Sequence, residues 1–477
     1  MNKVDPYEGK RVSAPSVAIV LAAGDGTRMN STLPKVLHPI LDRPIILHVL
    51  GNLSQLSLES IVVVTSHPEV DAAIRAEFPD VTIVHQTERN GTADAVEVAL
   101  SEVGAHIQRA LIVPGDAPLL SPTILGDLVA VADSPVTLLS AITSNPFGYG
   151  RIVRSGGLVT EIVEEKDATA EQRRITEVNA GVYWVEVNLL RTLLPLITTN
   201  NQQNEKYLTD IVKLAREKSI EISAIQARDF NAVQGVNNRI QLAYAGKSMQ
   251  RVVNSYWMLK GVTIEDPETT WIGLDVVIAS DVTLKSNTQL RGKTSIATGA
   301  VIGPDVEVTD CTIAEDAKVL KSVAINAHIG KSATVGPFSY LRPGAQLHEL
   351  AKVGAYVEVK NSVIGERSKV PHLSYVGDAT IGKDSNIGAG TVFVNYDGVA
   401  KHKTEVGDGV RIGSDTMLVA PVRIGNGAYT AAGSVITDDV PAGAMAVARE
   451  RQRNIVEWVK RKRPGTVSAQ AAERDNT

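Results

Sequence analysis

The chain changes its hydrophobic period near the middle. In the first half, short β-branched runs at Val17–Leu21, Ile61–Thr65, Val81–His85, Leu111–Pro114 and Val136–Ile142 are separated by segments of helix length. This alternation predicts an α/β, Rossmann-like domain on a largely parallel sheet. In the second half Ile278, Leu284, Leu290, Ile296, Ile302 and Val308 recur every six residues. The series resumes at Ile329, Val335, Leu341, Leu347, Val353 and Val359, and again at Val406, Ile412, Leu418 and Ile424, often with glycine next. A helix needs a period of 3.6 and an ordinary strand a period of 2, so a sustained six predicts a parallel β-solenoid of hexapeptide repeats. Between the two patterns, Ile240, Ala243, Met249, Val252 and Val253 have helical spacing. The expected organisation is a tail at 1–14, an α/β domain at 15–237, a connecting helix at 238–261, a solenoid at 262–455 and a tail at 456–477. Both tails read as disordered.

Composition sharpens this picture. Aromatic residues make up 4% of the 477 positions while glycine occurs 38 times, which suits stacked short turns better than an aromatic-rich sandwich. A net charge of −5 gives no general pull toward nucleic acid or an anionic membrane. The basic run Lys460-Arg-Lys-Arg463 has no interleaved aromatics and reads as a solvated tail. A single cysteine, Cys311, excludes an intrachain disulfide framework and a multi-cysteine zinc site. Residues 1–16 lack the apolar core of a signal peptide and no window reaches the length of a membrane span, so a cytoplasmic protein is expected.

The first candidate chemistry is Leu21-Ala-Ala-Gly-Asp-Gly-Thr-Arg-Met29, which follows the first apolar run and leads to Lys35. Gly24 and Gly26 let the backbone approach a polyphosphate, with a following helix N-terminus expected beside it, and Arg28 and Lys35 add fixed positive charge. The pattern is neither G-x-G-x-x-G nor G-x-x-x-x-G-K-[ST], which favours a nucleotidyl donor over hydride transfer or P-loop hydrolysis. Asp116, just past Leu111-Ile-Val-Pro114, is placed to hold a divalent cation beyond the carboxyl end of a strand. In the second half, Arg342, Glu358, Lys360, His372 and Tyr375 interrupt the hexads with a density of polar groups that a structural column does not require.

With the segment Gly115–Leu119, these motifs resemble the bacterial family of bifunctional N-acetylglucosamine-1-phosphate uridyltransferase/glucosamine-1-phosphate N-acetyltransferases, over about residues 15–455. The resemblance implies a left-handed β-helix, a homotrimer assembled through it, and synthesis of UDP-N-acetylglucosamine for peptidoglycan and the cell wall. It implies glucosamine 1-phosphate, acetyl-CoA and UTP as substrates, with Mg²⁺ held by Asp116 and Asn237. Leu21, Ala22, Ala23, Gly24, Lys35, Gln86, Gly91, Thr92, Gly150, Glu164, Asn179 and Asn237 match the positions that bind UTP and the UDP-sugar. Arg28 and Lys35 would neutralise the phosphates. Arg342, Lys360, Tyr375 and Asn386 would hold the acceptor phosphate, with His372 as general base and Glu358 orienting it or a water. Ala389, Asn395, Tyr396, Ser414, Ala432 and Arg449 would meet acetyl-CoA, and Lys401 would complete that site. Val392-Phe-Val394 departs from the family pattern by its bulk.

Three other readings compete: a monofunctional sugar-1-phosphate nucleotidyltransferase with a structural solenoid, a zinc hydrolyase, and a noncatalytic assembly subunit. The hydrolyase needs three converging histidines, whereas His328, His348, His372 and His402 contain no close pair. The noncatalytic subunit gives no reason to keep both Lys35 and Asp116.

Overall fold

The computed structural model describes residues 14–88, 90–130 and 134–474. The chain forms two compact units that divide between Glu315 and Asp316, inside the hexapeptide region. The expected tail at 1–14 lies outside the described residues apart from Ala14.

The first unit opens with a mixed sheet. Its strands are β1 (Ser16–Leu21), β2 (Ser60–Thr65), β3 (Thr82–His85), β4 (Arg109–Pro114), β5 (Val136–Ile142), β6 (Arg151–Ser155), β7 (Leu158–Val163), β8 (Glu177–Glu186) and β9 (Ile222–Ala227). The spatial order is β9-β5-β8-β4-β1-β2-β3, with β6 pairing β8 and β7. The pairs β1–β2, β1–β4, β2–β3 and β5–β9 are parallel, while β8 runs antiparallel to both β4 and β5. Alternate residues of β1 enter opposite cores: Val17 and Ile19 on one face, Ala18 and Val20 on the other, all fully buried. A strand covered on both faces reads as the continuous apolar run seen in the sequence. The chain passes from β1 outward to β2 and β3, then returns to place β4 on the other side of β1. The loops after β1 and β4 therefore part at this reversal, where open α/β sheets bind ligands.

Helices α1 (Ile45–Leu53), α2 (Pro68–Glu77), α3 (Thr92–Leu100), α4 (Pro122–Ala130), α5 (Val187–Leu193) and α6 (Asp210–Glu217) accompany this sheet, and α7 (Arg239–Leu259) follows it. Asn238 caps α7, its side chain accepting from the Gln241 amide. The buried stripe of α7 is Ala245, Met249, Val253 and Trp257, together with Gln250 and Asn254; Ile240 and Ala243, expected on that face, are exposed. Two amides explain the rotation. Gln250 Nε2 donates to the Thr270 carbonyl at 2.5 Å, and Asn254 Nδ2 donates to those of Pro267 and Thr270, both at 2.9 Å. These bonds tie α7 to the first solenoid coil, so the first unit continues past the helix into the repeats.

In the solenoid every hexad position read from the sequence is buried. Within the first unit Ile278 stands beside Ile296, Leu284 beside Ile302 and Leu290 beside Val308. Within the second, Ile329 stands beside Leu347, Val335 beside Val353 and Leu341 beside Val359. Each pair is one three-hexad turn of parallel strands, and the column is quasi-one-dimensional. The period breaks where a turn is longer: Ile381 pairs with Val406, Ile387 with Ile412 and Phe393 with Leu418. The extra length is a loop closed by an antiparallel bridge between Tyr396 and Lys401. Beyond the column, the tail expected to be disordered carries helices at Trp458–Lys462 and Val467–Arg474. Thr466 supports the second, its hydroxyl accepting from the Ala469 amide. That capping threonine is a helix-start signal which the polar composition of the tail masked.

The stacking distance leaves no room for side chains at some corners. A Cβ on Gly354 would lie 2.0 Å from the Pro371 carbonyl oxygen of the next turn, whereas one on Gly246 of α7 meets nothing within 4 Å. Gly354→Ala is expected to destabilise the protein by about 1–3 kcal/mol through overpacking. Gly246→Ala is expected to stabilise it by up to about 1 kcal/mol through helix propensity. Denaturant unfolding of both variants checks this contrast.

Candidate active sites

A cleft of about 530 Å³ opens beyond the carboxyl ends of β1 and β4. Leu21, Ala22, Ala23 and Gly24 form one wall, and Gln86, Gly91 and Thr92 form another; Lys35, Asp116, Glu164 and Asn179 project into it. The backbone binds these walls together: Ala22 N donates to Val64 O and Gly115 N to Leu21 O, both at 2.9 Å. The glycine loop ends in a single 3₁₀ turn, Thr27–Met29, rather than the expected helix. Asn30 follows in a left-handed conformation, which stops propagation, so any anion here meets loop amides and side-chain cations rather than a helix terminus.

Charge in the cleft converges on one point. Lys35 Nζ forms an ion pair with Asp116 Oδ2 and donates to Asn237 Oδ1 at 3.2 Å, while Arg28 Nη2 donates to the same Asn237 oxygen at 2.9 Å. Asp116 is held by a backbone bond from Val236 N to its carbonyl at 2.8 Å, and Asn237 by its amide donating to Gln241 Oε1 at 2.8 Å. One carboxylate and one amide oxygen thus already face a shared cation. Such a sparse oxygen set fits Mg²⁺, which usually takes one or two carboxylates and completes its shell with water and substrate phosphate. Among the described residues, no group of three His, Cys, Asp or Glu side chains is arranged to hold a metal.

The Asn179 side of the cleft is shaped by a bulge in β8 between Asn179 and Tyr183. Asn179 Nδ2 donates to the Tyr183 hydroxyl at 2.7 Å, and its Oδ1 accepts from Gly181 N at 3.0 Å. Gly150 lies behind Glu164, whose Oε1 would be 3.3 Å from a Cβ at 150. Burial pushes the Glu164 carboxyl above the ordinary carboxylate range, and the nearby Asp210 and Asp167 add to this; a hydrogen bond from Thr209 Oγ1 at 3.2 Å and the Arg151 charge oppose it. Gln86 Nε2 donates to Gly91 O at 3.1 Å and to Asp94 Oδ2 at 2.7 Å, which fixes the amide at the cleft wall.

The second unit holds a separate cluster where the inserted loop meets the column. Tyr340, Glu358, Tyr375 and Val392 occupy one register position on successive turns. Arg342 Nη1 donates to Glu358 Oε1 at 2.8 Å. Lys360 Nζ lies 3.5 Å from Asp378 Oδ2, and Asn395 Nδ2 lies 3.5 Å from the Tyr375 hydroxyl. Lys401 adjoins Lys360, which pushes the Lys401 ammonium below the ordinary lysine range. A Cβ at Gly377 would fall 2.4 Å from the Tyr375 hydroxyl, so only glycine lets that ring lie across the turn. His372 ends the strand Lys369–His372, exposed to solvent, and its ring makes no hydrogen bond or ion pair among the described residues. Glu358 is paired with Arg342 here and does not orient His372.

Asn386 lies between Lys369 and Arg411 in the adjoining sheet. Ala389, Ser414 and Ala432 follow one another on successive turns: Asp415 N donates to Ala389 O at 2.7 Å and Gly433 N to Ser414 O at 2.8 Å. Arg449 follows beside Gly433. This corner therefore carries small side chains on three successive turns.

Comparison with known proteins resolves what carries these clusters. Residues 18–177 match the model of the MobA-like NTP transferase domain, and residues 403–438 match the bacterial transferase hexapeptide of six repeats. The bifunctional protein GlmU of Clavibacter sepedonicus is 50% identical over 468 residues, covering 96% of this chain and 95% of that protein. Those of Kineococcus radiotolerans and Streptomyces avermitilis are 48% and 49% identical over 97% and 96% of this chain, and 96% and 97% of their own lengths.

The chain belongs to the bifunctional GlmU family. Its fold is that of the family, a Rossmann-like nucleotidyltransferase domain followed by a left-handed parallel β-helix.

Several residues that shape the cleft of this GlmU-family chain carry no signal in the sequence. Thr209 and Tyr183 hold Glu164 and Asn179, while Leu208 N donates to Thr92 Oγ1 at 2.9 Å and so docks the 205–209 segment on the cleft wall. None of these carries a motif, and only the pairing of distant segments brings them in. Glu164 also supplies a stability signature. Its raised pKa means that the folded state favours the neutral acid. Its contribution is therefore fully present below the ordinary carboxylate value of 4.5 and lost as pH rises through the elevated pKa. Glu164→Gln is expected to melt above the parent protein by a margin that widens from pH 5 to pH 8; thermal scans across that range check the sign.

Proposed function

We propose that the chain makes UDP-N-acetylglucosamine in two steps on its two clusters, acetylating glucosamine 1-phosphate with acetyl-CoA and then transferring UMP from UTP to N-acetylglucosamine 1-phosphate. Membership of the bifunctional family at 50% identity along nearly the whole chain makes the protein an acetyltransferase and a uridyltransferase. The observation that carries the assignment of sites is that both clusters of cations, each held by carboxylates, are present on one chain. A monofunctional nucleotidyltransferase with a structural column gives no reason for the second.

In the cleft, the sugar phosphate oxygen attacks the α-phosphorus of UTP and pyrophosphate leaves. Positioning and charge neutralisation dominate such a displacement. Arg28 and Lys35 offset the phosphate charge, Gln86 and Gly91 read uracil with Thr92 beside them, and the walls from Leu21 to Gly24 admit the nucleotide. Gly150, Glu164 and Asn179 receive the sugar hydroxyls and the acetamido group. Asp116 and Asn237 would hold Mg²⁺, which supplies Lewis-acid polarisation of phosphate oxygens when bound.

In the β-helix, the amine of glucosamine 1-phosphate attacks the thioester carbonyl and the coenzyme leaves as the thiol. His372 takes the proton from the amine; its exposed imidazole has no fixed partner among the described residues and is free to do so. Arg342, Lys360, Tyr375 and Asn386 receive the sugar phosphate, and Lys401 completes the site. Glu358, which accepts from Arg342 in the empty site, serves in the reaction to orient His372 or a water. Asn395, Tyr396, Ala389, Ser414, Ala432 and Arg449 line the coenzyme groove.

The assembly is a cytoplasmic homotrimer through the β-helix. Three bulky residues at successive left-handed corners, Phe338, Tyr356 and Leu373, are more than half exposed in the single chain, which favours a covering subunit. No described helix is long and apolar enough to cross a membrane.

The complete mixture of glucosamine 1-phosphate, acetyl-CoA, UTP and Mg²⁺ is expected to yield UDP-N-acetylglucosamine by mass spectrometry, with none formed when acetyl-CoA is omitted. A UDP-sugar formed equally well without acetyl-CoA would favour the monofunctional reading. His372→Ala is expected to lower acetylation by at least about 10²-fold while sparing uridylyl transfer from supplied N-acetylglucosamine 1-phosphate, and Asp116→Ala to do the reverse. Loss of both activities in either folded variant would refute the division of labour.

A further inference from the structure

Asp378 falls outside every motif read from the sequence, yet it is the most heavily bonded carboxylate of the second cluster. Oδ1 accepts from Asn361 Nδ2 at 2.7 Å, and Oδ2 accepts from Asn395 Nδ2 at 2.5 Å and lies 3.5 Å from Lys360 Nζ. Its backbone takes part as well, its N donating to Lys360 O at 3.1 Å and its O accepting from Thr404 N at 3.3 Å. Asn395 and Thr404 are the two ends of the inserted loop, which His402 N closes by donating to Asn395 O at 2.8 Å. The bland account is an aspartate that merely tolerates a left-handed corner. Asp310, Asp384 and Asp415 occupy such corners too, and all three are exposed, whereas Asp378 is 8% exposed.

We propose that Asp378 is a positioning residue for acetyl transfer, a single buried carboxylate that fixes Lys360 and both ends of the loop carrying Tyr396 and Lys401. The proposal rests on the assignment of Lys360, Tyr375, Asn395 and Lys401 to that reaction. A carboxylate only accepts hydrogen bonds, so Asn361 and Asn395 both turn their NH₂ groups toward it. It also offsets the mutual repulsion of Arg342, Lys360 and Lys401, a repulsion that the anionic acceptor relieves when it binds. Without Asp378 the Lys360 ammonium loses its carboxylate partner in the empty site.

Asp378→Asn places an NH₂ against at least one donor and removes the charge. Its acetyl transfer is expected to lose about tenfold or more in kcat/KM for glucosamine 1-phosphate, chiefly through KM, as befits a charged hydrogen bond. Uridylyl transfer from supplied N-acetylglucosamine 1-phosphate should be unchanged. The alkaline limb of the acetylation profile should move to lower pH, since Lys360 and Lys401 would lose their neighbouring anion while Arg342, Tyr375 and Glu358 stay in place. The double variant Asp378→Asn/Asn361→Asp exchanges the two ends of a carboxylate–amide pair that lies outside the acetyl-CoA contacts, and recovery of acetylation there would mark a positional role. Parental acetylation and an unshifted profile in Asp378→Asn would overturn the proposal, as would an acetylation loss that the exchange leaves uncorrected. Separately, Lys360→Ala and Lys401→Ala variants that acetylate normally would refute the site assignment itself, whatever Asp378 does.

Discussion

Parallel pairing in fixed register is the constraint on which both units depend. In the sheet, Leu21 of β1 stands beside Pro114 of β4, so the glycine loop and Asp116 leave their strands at the same level. In the column, Lys360 stands beside Gly377 and Glu358 beside Tyr375, so residues seventeen apart in sequence share one surface. A slip of one residue would turn each apolar side chain of a hexad outward, send those of β1 into the opposite core, and scatter both clusters. The buried positions at Ile19, Val20, Leu341 and Val359 make that slip costly, and the chemistry inherits the precision of the packing.

The two sites share an electrostatic device. Each gathers cations that would repel one another and holds them with carboxylates, Asp116 on Lys35 in one, Glu358 on Arg342 and Asp378 near Lys360 in the other. In the proposed reactions an incoming phosphate would then replace or join a carboxylate partner rather than meet scattered, hydrated charges. The device also limits where burial is tolerated. Among the described residues Glu164 has no cation paired with it and is pushed toward its neutral form, whereas Glu165, paired with Arg151 at 2.6 Å, is drawn the other way.

The solenoid keeps polar residues for two different reasons. Buried hydroxyls serve the corners: Ser385 Oγ donates to Gly407 O at 2.8 Å and accepts from Val410 N at 2.9 Å. These satisfy backbone groups that the sharp turns leave unpaired. The residues from Arg342 to Lys401 instead bond mainly to one another, and they gather where one turn is lengthened by the inserted loop. A break in the structural period thus coincides with the concentration of charge.

The sequence by itself determined the elements and the kind of chemistry. Period six, the β-branched runs and the glycine loop each depend on neighbours within a few residues, so the solenoid, the β1, β2, β4 and β5 strands and the cluster residues Lys35, Asp116, Arg342 and Lys360 were all legible. Tertiary structure alone decided which distant segments meet. The antiparallel β8, the burial of Gln250 and Asn254 in place of Ile240 and Ala243, the pairing of Glu358 with Arg342 and the buried role of Asp378 all follow from contacts between residues far apart in sequence or on neighbouring turns. A linear pattern records how often an apolar side chain recurs. It does not record which polar group will find a partner once that pattern has closed around it.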